Sequence, residues 1–564
     1  MNAHPSGSFV LALHGHMPWV LHHGRWPHGE HWLFEAAAGV YLPMIEVLDE
    51  LASSGIQDAF SLGLTPILLE QLRHPTFRDG MAGYLAERSR RAREDERDPE
   101  LAHRARYWRE RFATLIAKWS AIDGDIPGAF AEHARAGRLE LLSSFATHGY
   151  APLLKHDRCI RAQLEIGLTT SERHLGFRPT GIWLPECAFR PEGPWTQPVL
   201  GGPTRLRMGV DRILEAHGVT HFFISSAMAD GARSEGRFND HGGFDKVGWD
   251  EADRYRNDGW RDVMEPHWVS THGGASKVAA FARHPDVSEQ VWSADAGYPG
   301  DPRYLEFHKK HRGDGLRYWR VTDRKLDLGE KQPYQPEVIA EATYSNAQHF
   351  AAVVRRRLES WRGQTGRDGC VTATFDAELF GHWWYEGPSF LREAILALHH
   401  DPQIRVQSAA GRLASHPPRE VVWLPEGSWG DGNDHRVWLN EQTRWTWEAV
   451  HRAEDRFFSL YWKVHQKPNR KRAADLLKLA ARELLLLQAS DWQFVVHTGQ
   501  AVDYGYRRFS NHLSMFDTVC SMVEDVLRGR RSYTAAQRAC RALALASDDC
   551  FNDLDLGHFG FDGD

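Results

Sequence analysis

Residues 9–18 read FVLALHGHMP, a run of five apolar residues that leads directly into His14, Gly15 and His16. Five later stretches repeat this pattern, in which a short apolar segment stops at polar residues: 57–63 (QDAFSLG), 139–145 (LELLSSF), 180–184 (TGIWL), 221–225 (HFFIS) and 370–375 (CVTATF). Short apolar strands separated by long helical stretches are typical of parallel βα units. Because the polar residues collect just after the strands, where barrel enzymes carry their active sites, the pattern favours an α/β barrel.

The composition is that of a folded protein, with 42% hydrophobic and 25% charged residues, and it includes 22 tryptophans in 564 residues. The net charge of -7 provides no basic field for a polyanion, so we expect no nucleic-acid partner. No apolar run approaches the roughly 18 residues of a transmembrane helix, and no cationic leader precedes the first apolar run. The six cysteines form no CxxC motif, which indicates reduced thiols in a cytoplasmic protein.

Three further regions are predicted outside the strands. Residues 87–122 place apolar side chains at helical spacing among many Arg and Glu residues, which predicts an amphipathic helical hairpin. Residues 227–277 are rich in Gly, Asp and Arg and have no sustained apolar period, which predicts a long surface loop or lid. After about residue 400 the pattern becomes helical, and a mostly helical C-terminal domain is expected with helices at 435–466, 472–490, 509–529 and 533–546.

Two carboxylates stand at the ends of separate predicted strands, each beside aromatic residues. Glu186 follows Pro185 in GIWLPECAFRP, and Asp376 ends a strand in TATFDAELFGHWWYEGP, with Glu378 two residues further on. Hydrolysis or transfer at a glycosidic bond requires such a pair, one group to attack or stabilise the anomeric carbon and one to move the proton. From the residues alone, an alternative stays open in which the aromatics are core and the carboxylates pair with arginines.

The histidines and tryptophans allow two interpretations as well. His14 and His16 share a face of a strand and could bind a divalent metal, but no further ligands are evident nearby in the sequence, so we favour histidines that bind sugar hydroxyls. His148 would join them from another strand end. Sugar rings carry an apolar face that stacks on indole, and we expect part of the tryptophans to line a saccharide cleft while about half are ordinary core.

Five motifs resemble the regions that characterise glycoside hydrolase family 57, and within it the 1,4-α-glucan branching enzymes: HGHMP (14–18), SFATHGY (144–150), WLPECAFRP (183–191), FDAELFGHWW (375–384) and SWG…VWLNEQTRWTW (428–447). The resemblance extends from about residue 10 to about residue 515. It implies an incomplete (β/α)7 barrel with a small inserted domain and a C-terminal helical domain that closes the cleft. The expected domains are residues 1–405, with the insertion at about 187–280, and residues 406–564.

The resemblance also implies a retaining mechanism that needs no cofactor and no metal. Glu186 would be the nucleophile and Asp376 the general acid/base, and the enzyme would cleave an α-1,4-glucan, such as amylose or a glycogen-like polymer, and transfer the segment to a 6-hydroxyl. The implied substrate-binding residues are His14, His16, Trp26, His148, Arg283, Trp292, Arg303, Trp429, Trp438, Asp491, Trp492 and Gln500.

One segment departs from the family pattern. Branching enzymes of the family carry a tyrosine on a flexible loop beside the cleft, and the corresponding segment here is the predicted loop at 227–277. Tyr255, Trp260 and Trp268 are the aromatic candidates for this position. Three alternatives to branching therefore stay open: a retaining α-amylase-type hydrolase of the same family, a non-catalytic glycan-binding protein, and a metal-dependent hydrolase or deacetylase that uses His14 and His16.

Overall fold

The structure is a computed structural model that describes residues 5–239, 243–246, 262–293, 295–466, 471–545 and 548–560. Its strands are β1 (Gly7–Gly15), β2 (Ser61–Leu64), β3 (Glu140–Leu142), β4 (Gly193–Trp195), β5 (Arg205–Arg207), β6 (His221–Ile224), β7 (Arg233–Phe238), β8 (Phe244–Lys246), β9 (His267–Val269), β10 (Ala279–Ala282), β11 (Gly369–Asp376), β12 (Ile404–Val406) and β13 (Glu420–Trp423).

Parallel pairing places the central segments in the order β11, β1, β2, β3, residues 181–182, β6 and β10. Single bridges, Ser143 to Ile182 and Gly181 to His221, attach the short segment at 181–182 to its neighbours. Among the described residues, β10 and β11 are not paired with each other, so these seven segments do not close into a ring. The expected incomplete (β/α)7 barrel is confirmed, and its seventh strand, β10, is one that the apolar pattern did not predict.

β1 lies between β11 and β2, and all nine of its residues are buried. In a parallel barrel, helices cover the outer face of the sheet and side chains fill the interior, so a strand between two others is buried along its whole length rather than at alternate positions. In the register between β1 and β11, His14 lies opposite Asp376. The two strands therefore deliver a histidine and a carboxylate to the same edge of the sheet.

The helices are α1 (Glu30–Ala36), α2 (Leu42–Ser53), α3 (Pro66–Arg73), α4 (Pro75–Asp95), α5 (Ala102–Ala121), α6 (Ile126–Arg135), α7 (Asp157–Leu175), α8 (Val210–Ala216), α9 (Ser226–Asp230), α10 (Pro285–Trp292), α11 (Ile339–Thr365), α12 (Gly387–His400), α13 (Ala409–Ser415), α14 (Arg444–His465), α15 (Lys471–Leu487), α16 (Asp491–His497), α17 (Val502–Leu527) and α18 (Tyr533–Leu545). A π-helical turn at Ala37–Tyr41 joins α1 to α2. None of the described helices is both long enough and apolar enough to span a membrane.

Two helical predictions hold with changed boundaries. The predicted hairpin at 87–122 is the pair α4 and α5, which bury apolar side chains such as Met81 and Trp108 at helical spacing. The C-terminal helices are found as α14 to α18, but the first begins only at Arg444, and the short helix α16 was not predicted.

The prediction of a structureless loop at 227–277 is wrong for the part that is described. β7, β8 and β9 arise within it, and they join β13 in a sheet of order β6, β10, β9, β13, β7, β8. β7 and β9 both pair with the distant strand β13, where Val421 lies opposite Gly236 and Trp268, and a local sequence pattern does not show this pairing. Tyr255 and Trp260 lie outside the described residues.

β12 and β13 extend the strand-containing region beyond residue 405, and the helices α14 to α18 follow. The domain division at 405/406 and the inserted domain at 187–280 stay predictions.

Candidate active site

A cleft of about 970 Å³ opens at the carboxyl ends of the parallel strands. Eleven of the fourteen predicted site residues line it: His14, His16, His148, Glu186, Arg283, Trp292, Asp376, Trp429, Trp438, Asp491 and Gln500. The histidines, Glu186, Arg283 and Asp376 come from five strand ends, and Asp491 and Gln500 come from α16 and the residues just after it. Trp292 ends α10, and Trp429 and Trp438 lie between β13 and α14. The tertiary structure thus brings together residues that are up to 486 positions apart, from His14 to Gln500.

Glu186 is held in a conformation that few residues other than glycine adopt. Its φ of 60° lies in the left-handed region, directly after Pro185, and such backbone strain is often found at functional sites. The indole N–H of Trp429 donates to Oε2 of Glu186 at 2.8 Å, and the Ser490 hydroxyl donates to Oε1 at 3.2 Å. Burial raises the pKa of Glu186 to about 7, although these two donors favour the ionised form.

Asp376 has a different environment at the end of β11. Burial raises the pKa of its carboxyl group well above the usual range, and the neighbouring charges of Glu378 and Glu186 add to the effect. Arg283 opposes it only in part, and among the described residues no hydrogen bond is donated to the Asp376 carboxyl. Of the two carboxyl groups, Asp376 is therefore the one that lacks donors to its ionised form, as suits a group that carries a proton.

Glu378 is a third buried carboxylate, noted in the sequence but not assigned a role there. Its Oε1 accepts hydrogen bonds from the Tyr41 hydroxyl and from the backbone N–H of His16, at 3.1 Å for the latter. Burial raises its pKa to about 7, against the effect of Tyr41. The only sequence signal for a role of Glu378 was its position two residues after Asp376. Its contact with Tyr41 could not be predicted, because Tyr41 lies in the π-helical turn, far from Glu378 in the sequence.

The three predicted histidines form one stacked group. The rings of His16 and His148 lie 3.9 Å apart, and Nε2 of His14 is 3.0 Å from Nε2 of His148. Burial lowers the pKa values of His14 and His148 well below the usual range, and His16 adds to this by charge. Burial also lowers the pKa of His16, but Asp491, whose Oδ1 is 2.9 Å from Nε2, raises it overall. His16 is thus the protonated member of the group.

His16, His148 and Asp491 each offer a possible metal-ligand atom, and these atoms lie within 4.8 Å of one another. The sequence had suggested His14 instead of His148 as the partner of His16. In the structure, Nε2 of His16 lies 2.9 Å from Oδ1 of Asp491, and Nε2 of His148 lies 3.0 Å from Nε2 of His14. These contacts join the three histidines and Asp491 into one hydrogen-bonded floor of the cleft.

Aromatic side chains form the walls. Trp292 is 39% exposed, and its ring centroid lies 6.4 Å from that of Trp429. Trp438 stacks on Tyr150 at 4.4 Å and is almost completely buried, so it supports the wall more than it presents a face. Exposed indole faces are suited to the C–H face of a sugar ring, as expected for a saccharide cleft.

Aromatic residues that the sequence analysis did not assign also line the cleft. Trp383 is 44% exposed and Phe494 is 38% exposed. Both follow predicted site residues within a few positions, but nothing in the local pattern distinguishes them from core aromatics. Trp26, 64% exposed, lies in an adjoining cavity of about 190 Å³ that shares Trp383 and Gln500 with the cleft.

Two predicted residues, Trp492 and Arg303, line neither the cleft nor the adjoining cavity that contains Trp26. Trp492 is 2% exposed, donates its indole N–H to the Leu486 carbonyl at 2.8 Å and lies against Arg508. Successive helix residues point about 100° apart, so Asp491 faces the cleft while its neighbour faces the core. Arg303 pairs with Asp301 at 2.6 Å on a loop away from the cleft.

Comparison with known proteins gives consistent matches along the chain. A family model described as glycosyl hydrolase family 57 matches residues 10–425, and one described as the C-terminal region of 1,4-alpha-glucan branching enzyme matches residues 449–559. The 1,4-alpha-glucan branching enzyme of Thermococcus kodakarensis is 38% identical over 508 residues, which cover 90% of this chain and 72% of the relative.

Solved structures match over nearly the whole chain. The branching enzyme of this family from Pyrococcus horikoshii has a TM-score of 0.86 and 35% identity, covering 98% of this chain and 97% of that one. The α-amylase AmyC from Thermotoga maritima has a TM-score of 0.80 and 26% identity, covering 99% of both chains.

Proposed function

The chain belongs to glycosyl hydrolase family 57, and we propose that it is a 1,4-α-glucan branching enzyme. The observation that carries the proposal is the pair of carboxyl groups that line one aromatic cleft, Glu186 with two hydrogen-bond donors and Asp376 with none among the described residues. The match of residues 449–559 to a branching-enzyme region favours branching over the amylase alternative. An α-glucan carries no charge, which is compatible with the aromatic walls of the cleft.

In the proposed mechanism, Glu186 attacks the anomeric carbon of an α-1,4-linked chain. The bond from that carbon to the glycosidic oxygen breaks, and protonated Asp376 gives its proton to the departing oxygen. Asp376 is then ionised and removes a proton from the 6-hydroxyl of an acceptor chain. That oxygen displaces Glu186 from the anomeric carbon, which restores both carboxyl groups and leaves an α-1,6 branch.

Branching requires an acceptor chain to be bound where water would otherwise react. Trp26, Trp383 and Gln500 surround the cavity that adjoins the cleft, which provides aromatic surface for a second glucan chain. Native substrates in this proposal are amylose-like and glycogen-like polymers. A cytoplasmic location is part of the same proposal, and it is supported by the six cysteines, all of which are free thiols.

The overall activity is tested by incubating the purified chain with amylose and following the product by proton NMR. A branching enzyme gives new α-1,6 linkages with few new reducing ends. Purely hydrolytic products, in which reducing ends rise and no α-1,6 signals form, would instead support the α-amylase-type alternative.

The assignment of the two carboxyl groups is tested with Glu186→Gln and Asp376→Asn. We expect each to lower kcat on amylose by about a thousandfold or more. An α-maltosyl fluoride donor needs little acid assistance, so it should restore the first step in Asp376→Asn but not in Glu186→Gln. Glu110→Gln, an exposed carboxylate on α5, serves as the control. Restoration in Glu186→Gln alone would reverse the two roles.

A further inference from the structure

A second cavity, of about 270 Å³, lies between α2, α4, α5 and the segments at 310–317 and 381–392. Among the described residues it shares no lining residue with the catalytic cleft. Its lining includes the exposed residues Glu50 and Ser389 on one side and the buried residue His382 on the other. It is therefore distinct from the catalytic cleft itself, although Glu35, Lys310 and His382 line both this second cavity and the smaller cavity that adjoins the cleft.

Three cations surround one carboxylate at the inner end of this second cavity. Nζ of Lys310 lies 2.8 Å from Glu35, and a guanidinium nitrogen of Arg88 lies 3.8 Å from it. Arg317 lies close enough to be one of the charges that, with Lys310, hold the pKa of Glu35 at about 2 although burial alone would raise it. The inner end thus carries an excess of positive charge in a chain of net charge -7.

Arg88 and Arg317 are incompletely paired. Arg88 is 5% exposed, and its Nε has no hydrogen-bond partner among the described residues. Arg317 donates its Nε to the Phe307 carbonyl at 2.8 Å, while one of its Nη atoms has no partner in the described part of the chain. Glu87 and Asp314, which flank Arg88, both pair with Arg91 at 2.8 Å. Arg88 donates instead to the Asp314 backbone carbonyl at 2.6 Å, so Glu35 is the carboxylate that the three cations share. A bound anion would offset the remaining positive charge.

The remainder of the lining suits a hydroxylated ring. Tyr84, Tyr107, Trp108 and Tyr385 provide aromatic surface, and the hydroxyls of Tyr107 and Tyr385 lie 2.8 Å apart. Toward the surface, two ion pairs offer both donors and acceptors to hydroxyl groups: Arg111 with Glu46 at 2.7 Å, and Arg392 with Glu50 at 2.6 Å. Aromatic faces together with a few fixed polar groups are characteristic of small-molecule sites.

We propose that the second cavity binds a phosphorylated monosaccharide, with its phosphate against Arg88, Lys310 and Arg317 and its ring against the tyrosines. The volume lies just below the roughly 300–1,000 Å³ of pockets for drug-sized ligands, which fits a single sugar ring better than a glucan chain. Arginine forks match the oxygen geometry of phosphate. This site does not depend on the proposed branching activity.

The site is tested by calorimetric titration of the full chain with glucose 6-phosphate, glucose and inorganic phosphate. We expect glucose 6-phosphate to bind one site at least about tenfold more tightly than either of the other two, because only it engages both ends of the cavity. Arg317→Gln should weaken this binding by about tenfold or more. Arg90→Gln, which removes an exposed arginine from the same helix as Arg88, should leave it unchanged.

Lys310→Gln is a second variant, for use if Arg317→Gln does not fold. It is expected to be milder, because the Lys310 side chain is 19% exposed and the substitution removes no buried guanidinium group. Correct folding is checked for each variant by its thermal unfolding transition. Equal affinities for glucose and glucose 6-phosphate, binding unchanged in both cavity variants, or no binding of glucose 6-phosphate would each overturn the proposal. Binding is measured without a glucan substrate and does not require the reaction at Glu186 and Asp376, so failure here is distinguishable from failure of the proposed function.

Discussion

The two carboxyl groups at the cleft have different surroundings, and these determine the expected pH dependence. Burial raises the pKa of Glu186 to about 7, and that of Asp376 well above its usual range. In the proposed mechanism, the active form has Glu186 ionised and Asp376 protonated. We therefore expect kcat/KM to rise with pH through about 7 and to fall again at higher pH, with macroscopic pKa values that belong to the pair. A profile highest below pH 5 would contradict this arrangement.

The indole N–H of Trp429 is the stronger of the two donors to Glu186. Trp429→Phe keeps an aromatic ring in the wall but removes the hydrogen bond of 2.8 Å to Oε2. We expect kcat to fall by about tenfold to a hundredfold, and the acidic limb of the pH profile to move to higher pH because the ionised form loses a donor.

Trp361→Phe is the matched control for this change. The indole N–H of Trp361 has no hydrogen-bond partner among the described residues, and the residue lies on α11 outside the cleft. Kinetics of both variants on amylose across pH measure the difference. An unshifted acidic limb in Trp429→Phe would show that the hydrogen bond does not control the ionisation of Glu186.

At the scale of elements, the π-helical turn at Ala37–Tyr41 and the segment after β11 support the site jointly. Tyr41 donates to Glu378, and Gly39 lies against Gly381. Gly381 has a φ of 127°, and a Cβ there would overlap the carbonyl oxygen of Gly39. π-helical turns occur often at functional sites, and here the turn places a tyrosine hydroxyl beside a buried carboxylate.

Gly381→Ala should therefore lower the free energy of unfolding by about 2–4 kcal/mol, through strain at positive φ and overpacking against the turn. Gly363→Ala is the control, because Gly363 is an exposed residue of α11 with open space around it, and a Cβ there should stabilise by about 0.5–1 kcal/mol. Urea unfolding measures both. Equal stabilities of the two variants would mean that the turn adapts to the added methyl group.

At the scale of the whole molecule, the N-terminal and C-terminal parts of the chain meet at a buried ion pair. Arg508 donates to Oδ2 of Asp548 at 2.6 Å, both side chains are almost fully buried, and His23 binds Oδ1 of the same carboxylate. Burial alone would raise the pKa of Asp548, but Arg508 and the histidines hold it at about 2. The three residues connect a loop near residue 20 to α17 and to the chain beyond α18.

Asp548→Asn should lower the free energy of unfolding by about 3–5 kcal/mol, because it leaves the Arg508 guanidinium buried without a counter-charge. In the unchanged protein this carboxylate has a pKa below its unfolded value of about 3.9. Its contribution is therefore complete above about pH 4 and is lost as the pH falls toward about 2.

Asp79→Asn, at an exposed position of α4, is the control for Asp548→Asn and should leave stability nearly unchanged. Urea unfolding between pH 3 and pH 7 measures the two variants against the unchanged chain. A loss in Asp548→Asn no larger than in Asp79→Asn would show that the two parts of the chain do not depend on this pair.

The sequence by itself determined the barrel, the strand ends and the two carboxyl groups. Apolar runs that stop at polar residues are local patterns, and a strand end places the next side chain at the edge of the sheet whatever its neighbours are. Glu186, Asp376 and His14 could therefore be predicted as residues of one site. The family resemblance added the roles expected of them, whereas the helical C-terminal region was already indicated by the residue pattern after about residue 400.

Only the tertiary structure decided which groups surround the carboxylates and what sets their pKa values. Ser490 reaches Glu186 across 304 positions of sequence, and Tyr41 reaches Glu378 across 337. Asp491 and Phe494 lie on the face of α16 that lines the cleft, whereas Trp492 lies on the face that packs into the core. The packing of α16 against its neighbours decides which face lines the cleft. A local pattern contains no such information, because burial and electrostatic shifts arise from neighbours that only folding brings together.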